Sequence, residues 1–352
     1  MKIENVKVYK LLRYMEYNLD KNRNIKGDVI MLKSKIKSMA VLLTLTIGVT
    51  AFTMMLKPSV TAFAGDATGT TSSISDILSN QLPDGGWKKD YTETQGDWAK
   101  STIDNKATYT EIRRLASEYM KTKDSKYSDA AIKGINFLIN MQYDNGGWPQ
   151  IYQGSGYHVN ITYNDDAMIN VVILMDEIAN KKGDFSFIDN TLAAKCKASV
   201  DKAVDCILKT QVIINGKLTV WGQQHDPIDL KPASARAYEH PSLCAKESVN
   251  IVKFLKTRPA TTKITTSIKA AEEWFNTVKI TGIKIVKTST DVTVVKDDSV
   301  KTPIWARFYE LGTNRPIFSG RDGIVKYNLS EIEQERRTGY SWYGNWPSNL
   351  EK

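Results

Sequence analysis

Cysteine and histidine are scarce, with three of each in 352 residues. An odd set of cysteines, Cys196, Cys206 and Cys244, closes at most one bridge within the chain, which excludes a small disulfide-built scaffold. Cys196 and Cys206 are ten positions apart, not a whole number of helical turns, so buried free thiols are the expectation. No metal-ligand spacing joins the three. His158, His225 and His240 stand far apart, and there is no H-E-x-x-H pair. Nor is there a G-x-S-x-G elbow, a Walker loop or a Rossmann glycine pattern after a strand. Zincin, P-loop and dinucleotide chemistry therefore have no support, and a Ser-His-Asp hydrolase would lack its usual nucleophile turn.

Excess positive charge is also missing once it is located. The formal net charge is +9, from 48 Lys+Arg against 39 Asp+Glu. Residues 1–64 hold 11 basic and 4 acidic groups, leaving 48 − 11 = 37 against 39 − 4 = 35, about +2, for the rest. That first segment reads as a leader. Lys33, Lys35 and Lys37 precede an uncharged run over residues 40–56, and Val60-Thr61-Ala62-Phe63-Ala64 ends in a small-x-small site. The expectation is a secretory signal cut after Ala64, giving an extracellular protein with no stable membrane association. A transmembrane anchor is the competing reading, since 17 residues lie near the lower limit for a span. Met31 could itself begin a leader, making residues 1–30 an upstream extension. Beyond Ala64 there is no basic tract, zinc-finger spacing or RNA-binding aromatic motif, so no nucleic-acid partner is expected.

What is present is helical periodicity. Residues 65–75 read as a small polar linker, and 76–352 as one catalytic domain, split into a helical part (76–280) and an irregular, β-containing C-terminal part (281–352). Apolar stripes at i, i+3, i+4 and i+7 predict helices over Thr108–Met120, Ser128–Met141 (capped by Ser128), Asp166–Ala179, Leu192–Leu208, Leu243–Leu255 and Ser267–Val278. Strands are expected at 283–286 and 292–295, and a short helix around Ser330–Arg336. A weak repeat runs through the helical part. Gln81-Leu82-Pro83-Asp84-Gly85-Gly86-Trp87 is echoed by Gln142-Tyr143-Asp144-Asn145-Gly146-Gly147-Trp148, and loosely by Gln211 to Trp221. Helix, Gly-Gly-Trp turn and helix in series predict a mainly α fold of helical hairpins, an (α/α) toroid.

Four segments carry dense polar residues. Thr102–Thr108, around Asp104 and Asn105, and Gly156–Met168, with Asn164-Asp165-Asp166, each precede a helix. One capping group is enough for one helix, so the surplus carboxylates suit Ca²⁺, assembled from distant segments because no EF-hand pattern is present. Trp221–Asp226 with Lys231–Glu239 is too polar and aperiodic for core. The last fifty residues hold Arg307, Arg315, Arg321, Arg336 and Arg337 among aromatics, a composition suited to sugar acids.

Together these segments resemble the pectate lyases of polysaccharide lyase family 10. The carrying motifs, in order, are Thr102-Ile103-Asp104-Asn105, Asn145-Gly146-Gly147-Trp148-Pro149-Gln150, Ile161–Met168, Trp221-Gly222-Gln223-Gln224-His225-Asp226, Ala235-Arg236-Ala237-Tyr238-Glu239, and Trp305–Glu310 with Asn314-Arg315-Pro316. The resemblance implies Ca²⁺-dependent anti β-elimination of polygalacturonate by a monomer, with Arg236 as the base. It puts calcium on Asp104 and on Asp165 or Asp166, with the choice open. Arg315, Arg307 and Lys209 would grip substrate carboxylates, joined by Asn164, Tyr238, Trp148 and His225 as substrate contacts. Lys106 stands where a glycine is expected. Two other readings compete: a terpene or polyprenyl-processing toroid, which would want an acidic D-x-D-D motif that Asn164-Asp165-Asp166-Ala167 does not supply, and a non-catalytic pectin-binding protein.

Overall fold

The computed structural model describes residues 72–350. The leader, the extension before Met31 and most of the linker lie outside the described residues. Eight α-helices follow in order: α1 (Ile74–Ser79), α2 (Tyr109–Thr122), α3 (Ser125–Met141), α4 (Ala167–Ala179), α5 (Asn190–Thr210), α6 (Ala245–Lys256), α7 (Thr262–Val278) and α8 (Gln334–Thr338). Helix starts follow local chemistry. Asp189 accepts the Leu192 amide at 2.8 Å at the head of α5, and Ser73 and Asp76 form a reciprocal capping box on α1. α3 starts one turn earlier than the stripe suggests. Asp124 caps it by accepting the Lys126 amide, while Ser128 is buried inside the helix.

α2 packs on α3, α4 on α5 and α6 on α7, giving three hairpins side by side. Across hairpins, α2, α4 and α6 touch in one row and α3, α5 and α7 in another. This is the mainly helical, toroid-like arrangement that the repeat predicts. α4 sits mid-row with neighbours on both sides, which is why its sequence, AMINVVILMDEIA, is apolar nearly all round. Ile169, Val172, Leu174 and Met175 are almost fully buried, each stabilising the fold by about 1.5–3 kcal/mol.

The repeat turns out to be a latch. Gln81, Gln142 and Gln211 each donate a side-chain amide to two carbonyls. One lies across its own turn (Gly85, Gly146, Thr219) and the other on the outer helix of the next hairpin (Ala130, Ser199, Ser267), all at 2.8–3.0 Å. Trp87, Trp148 and Trp221 then turn their indole N–H back onto the preceding helix, to Ile77, Leu138 and Ile207. Gly146 sits at φ +93°, and a Cβ there would lie 2.0 Å from the Lys202 carbonyl on α5, so the turn needs glycine for both conformation and clearance. Trp305 is a fourth copy that the sequence hid. Its indole donates to Phe275 at the end of α7, but the hairpin of strands Ile283–Lys287 and Val292–Lys296 takes the place of the Gly-Gly turn.

The C-terminal segment folds back onto the helices. Phe308–Tyr309 pairs with Leu243–Cys244, and Trp305–Ala306 with Tyr343–Gly344. Trp305, Ala306 and Tyr309 join the main core, while Tyr238, Phe308, Phe318 and Trp342 centre a smaller one. The three cysteines are free and buried, and burial pushes the Cys196 and Cys206 thiols up to about 12.

Candidate active site

The latches place equivalent turns at the heads of α2, α4 and α6. The backbone amides of Thr102, Thr162 and Cys244 donate to the carbonyls of Trp87, Trp148 and Trp221. The next amides, of Ile103, Tyr163 and Ala245, donate to the residue two beyond a tryptophan: Gln150, Gln223 and Arg307. Asp104 and Asn164 therefore occupy one structural position, and Lys246 a related one. In the first two turns the chain then adopts positive φ without glycine, at Asn105 and Lys106 and at Asp165 and Asp166. Lys106, at φ +75°, holds the conformation that glycine would adopt without strain. Neither Thr108 nor Asp166 caps its helix through its side chain, so capping does not account for the acidic and amide groups gathered here.

Beside the second turn lies a network of charges. Arg236 and Glu239 are joined twice: Nε donates to Oε2 at 2.8 Å and Nη2 to Oε1 at 2.6 Å. Glu239 is buried and also accepts the Tyr340 hydroxyl at 2.8 Å, whereas the Arg236 side chain is 41% exposed. Burial would lower the Arg236 pKa, but the bonds and charge of Glu239 outweigh it and hold the guanidinium firmly protonated. Tyr238 lies under Arg236, ring centroid 5.1 Å away. The Gln223 amide lies 2.6 Å from Asn164 Oδ1 and 3.1 Å from the Tyr340 hydroxyl.

Arg307 sits deeper, its side chain only 5% exposed. It donates to Glu247, lies 3.8 Å from Asp165 and stacks 4.4 Å above the Tyr340 ring. Glu247 is fully buried. Burial pushes its carboxyl up, but Arg307 and Lys246, with a hydrogen bond from the Cys244 thiol, pull it down to about 2. The Lys246 ammonium bridges Glu247 (3.2 Å) and Asp165 (3.3 Å). Arg236, Asn164, Asp165 and Arg307 are thus brought together, although the sequence scatters them.

The other expected residues divide. Asp104 is buried, with Oδ2 held by the Lys89 ammonium at 2.9 Å. Asp166 lines a groove of about 490 Å³ between α4 and α6, with Ile169, Asn250, Phe254 and Arg258, yet still feels the charges of Glu247, Lys246 and Asp165, and its buried Oδ1 has no hydrogen-bond partner. Trp148 is wholly buried as a latch, so no face is open to a sugar ring. His225 is wholly buried as well, accepting the Gly222 amide at Nε2 and bonding the Leu230 carbonyl through Nδ1. Both are packing groups rather than ligand contacts, and the segment Gln223–His225 is core despite its polarity. Lys209 lies on α5, in the outer row, beside Asp205. Arg307 is spent on Glu247. Arg321 and Arg336 pair with Glu335 and Arg337 with Asp291, so the C-terminal arginines are mostly structural cations. Arg315 differs: it is exposed, with its guanidinium 3.6 Å over the Tyr327 ring.

Glu239, Glu247, Lys246 and Tyr340 carry the network, yet the sequence motifs gave them no role. One signal was available: Glu247 falls on the apolar stripe of α6, four residues before Ile251, where a lone carboxylate needs a buried partner.

Among the described residues no three His, Cys, Asp or Glu side chains gather as a ready metal site. The donors on offer are oxygens, from Asp165, Asn164, the remaining Asp104 carboxylate oxygen and the unpartnered Asp166 Oδ1. That chemistry fits calcium, and the small number of donors fits an ion whose shell is completed by water or by a bound acid.

Among the described residues no helix is long and apolar enough to cross a membrane. A comparison with curated proteins finds no match. Among solved structures, the family 10 polysaccharide lyase from Cellvibrio cellulosa is 38% identical with a TM-score of 0.73, covering 80% of this chain and 91% of that one. An aspartate-to-alanine variant of the same enzyme, in complex with trigalacturonic acid, matches equally well, with 92% of its chain covered. The pectic acid lyase family matches residues 69–351. The chain therefore belongs to the pectic acid lyases, and its relatives of known structure are family 10 polysaccharide lyases.

Proposed function

We propose that the protein is exported and, as a monomer, cleaves polygalacturonate by calcium-dependent anti β-elimination, with Arg236 at the reacting carbon. Membership of a lyase family sets aside both the polyprenyl toroid and the purely binding protein. The substrate class rests on the trigalacturonic acid bound by the Cellvibrio enzyme, and export rests on the leader-like residues before Gly65.

The observation that carries the mechanism is the Arg236–Glu239 clamp. Glu239 engages Nε and Nη2, which fixes the guanidinium plane and leaves Nη1 for substrate. In β-elimination the C5 proton, α to the carboxylate, is removed and the C4–O bond then breaks. Arg236 would take that proton at Nη1. To do so it must first lose the proton that Glu239 stabilises, so the reading demands alkaline solution. Asp165, with Asn164 beside it and Asp104 on the equivalent turn, would hold calcium in preference to Asp166, which also faces the α4–α6 groove. When bound, calcium would neutralise the substrate carboxylate and favour charge build-up at C5. Lys246 and Arg307 add positive potential on the same side, and Arg315 supplies an exposed cation for a further carboxylate.

The test is incubation of the purified protein with polygalacturonate at alkaline pH, following unsaturated uronate by ultraviolet absorbance with and without a chelator. Product that forms with calcium and disappears with the chelator supports the reading. No product with calcium present overturns it.

A further inference from the structure

Beside Asp104 stands a cluster that no step above uses. The Lys89 ammonium, 2.9 Å from Asp104, also lies 5.2 Å from the centre of the Trp98 ring. His158 meets Trp98 edge-on at 5.1 Å and Tyr157 at 4.3 Å between ring centroids. The support beneath is rigid. Asp97 accepts the Ser155 amide and hydroxyl, His158 Nδ1 and the Lys100 ammonium, all at 2.7–2.9 Å. That single carboxylate ties the loop before α2 to the loop before α4.

Trp98 and Tyr157 are half-buried on this braced surface, in contrast to the latch tryptophans Trp87, Trp148, Trp221 and Trp305, each at most 5% exposed. Flat aromatic faces with one cation at their edge suit a pyranose ring that carries a carboxylate.

We infer that Trp98 and Tyr157, with Lys89, form a binding site for a uronate unit remote from the bond being cleaved, so that long acidic sugar chains are held better than short ones. The substrate class rests on the reading under Proposed function; the site itself rests on the cluster. The experiment compares wild type, Trp98→Ala and Trp98→Phe on polygalacturonate and on trigalacturonate, with melting temperatures confirming that each variant is folded. Trp98→Ala should lower kcat/KM on the polymer about tenfold, mainly through KM, a loss of about 1.4 kcal/mol in binding, and leave the trimer unchanged. Trp98→Phe, which keeps a ring, should retain most of the polymer activity. Equal losses on both substrates, or no loss on the polymer, would overturn the site while leaving the lyase reading intact. A wild type that neither binds nor cleaves polygalacturonate would instead sink that reading, and the inference with it.

Discussion

Arg236 and Glu239, three positions apart, are locked by two parallel hydrogen bonds of 2.8 and 2.6 Å, with the carboxylate buried and the guanidinium reaching solvent. A turn that bonds the Glu239 amide to the Arg236 carbonyl makes this geometry local. Glu239 thereby does two things at once: it orients the arginine and holds its proton.

The first prediction separates these effects. Glu239→Gln keeps one hydrogen bond but removes the charge. Its kcat should fall about 10- to 100-fold, the size of a lost charge-assisted bond. If Arg236 is the base, the alkaline rise of the pH–rate profile should also move to lower pH, because the anion that held the proton is gone. A fall in rate with an unmoved profile would make Arg236 a fixed cation rather than a base.

Calcium should depend on one of two adjacent aspartates. Asp165→Ala should raise the calcium concentration for half-maximal activity by at least about tenfold, roughly 1.4 kcal/mol, whereas Asp166→Ala should leave it nearly unchanged. Calcium titration of the initial rate gives the answer, and the reverse pattern would reassign the ligand.

Arg307, buried and paired with Glu247, is expected to act first as a structural cation. Arg307→Ala leaves Glu247 buried without its main partner and should destabilise the fold by about 3–5 kcal/mol, read by urea unfolding. A variant of unchanged stability and raised KM would restore the substrate role.

Acid should weaken two contributions to stability in separate windows, while Glu111 and Asp166, pushed up by burial to about 7 and about 6, favour the fold as pH falls and oppose the first. Burial holds His225 down at about 4 against an ordinary 6.5. At this site the unfolded chain therefore binds the proton first, and the His225 contribution to stability falls as pH drops from about 6.5 to about 4, by up to roughly 3 kcal/mol. Glu247, held at about 2 against an ordinary 4.5, stabilises the fold above its unfolded value and loses that contribution as pH falls through the lower range. His225→Gln should flatten the first window without touching the second. Melting temperature against pH measures both.

Glycine at the latch should be irreplaceable where backbone crowds it. Gly146→Ala meets the Lys202 carbonyl and should cost more than about 3 kcal/mol. Gly96→Ala, also at positive φ but with nothing within 4 Å, should cost only about 1 kcal/mol. Equal effects would mean that conformation alone, not clearance, sets the need for glycine.

The helices, their pairing and the latch were legible because each rests on a short-range signal: an apolar period, a Gln-x-x-x-Gly-Gly-Trp turn. The fourth latch was not, since a β-hairpin separates Trp305 from α7 and removes the Gly-Gly cue. Motifs singled out Arg236, Asn164 and Asp165, which the fold does bring together. Trp148 and His225 were misjudged because a motif marks a residue as needed without saying whether it packs or binds. The ion pairing of Arg307 and Arg337 was hidden for a different reason. An arginine's partner, such as Asp291 for Arg337 or Glu247 for Arg307, lies 46 or 60 positions away, and a surplus of cations in sequence becomes a set of ion pairs in space.

The central claim is elimination rather than hydrolysis, and product mass decides it most directly. Mass spectrometry of a polygalacturonate digest should show each new non-reducing end lighter by one water than a hydrolytic product, with Arg236→Ala giving none. Saturated fragments that have gained water at each cut would contradict the account.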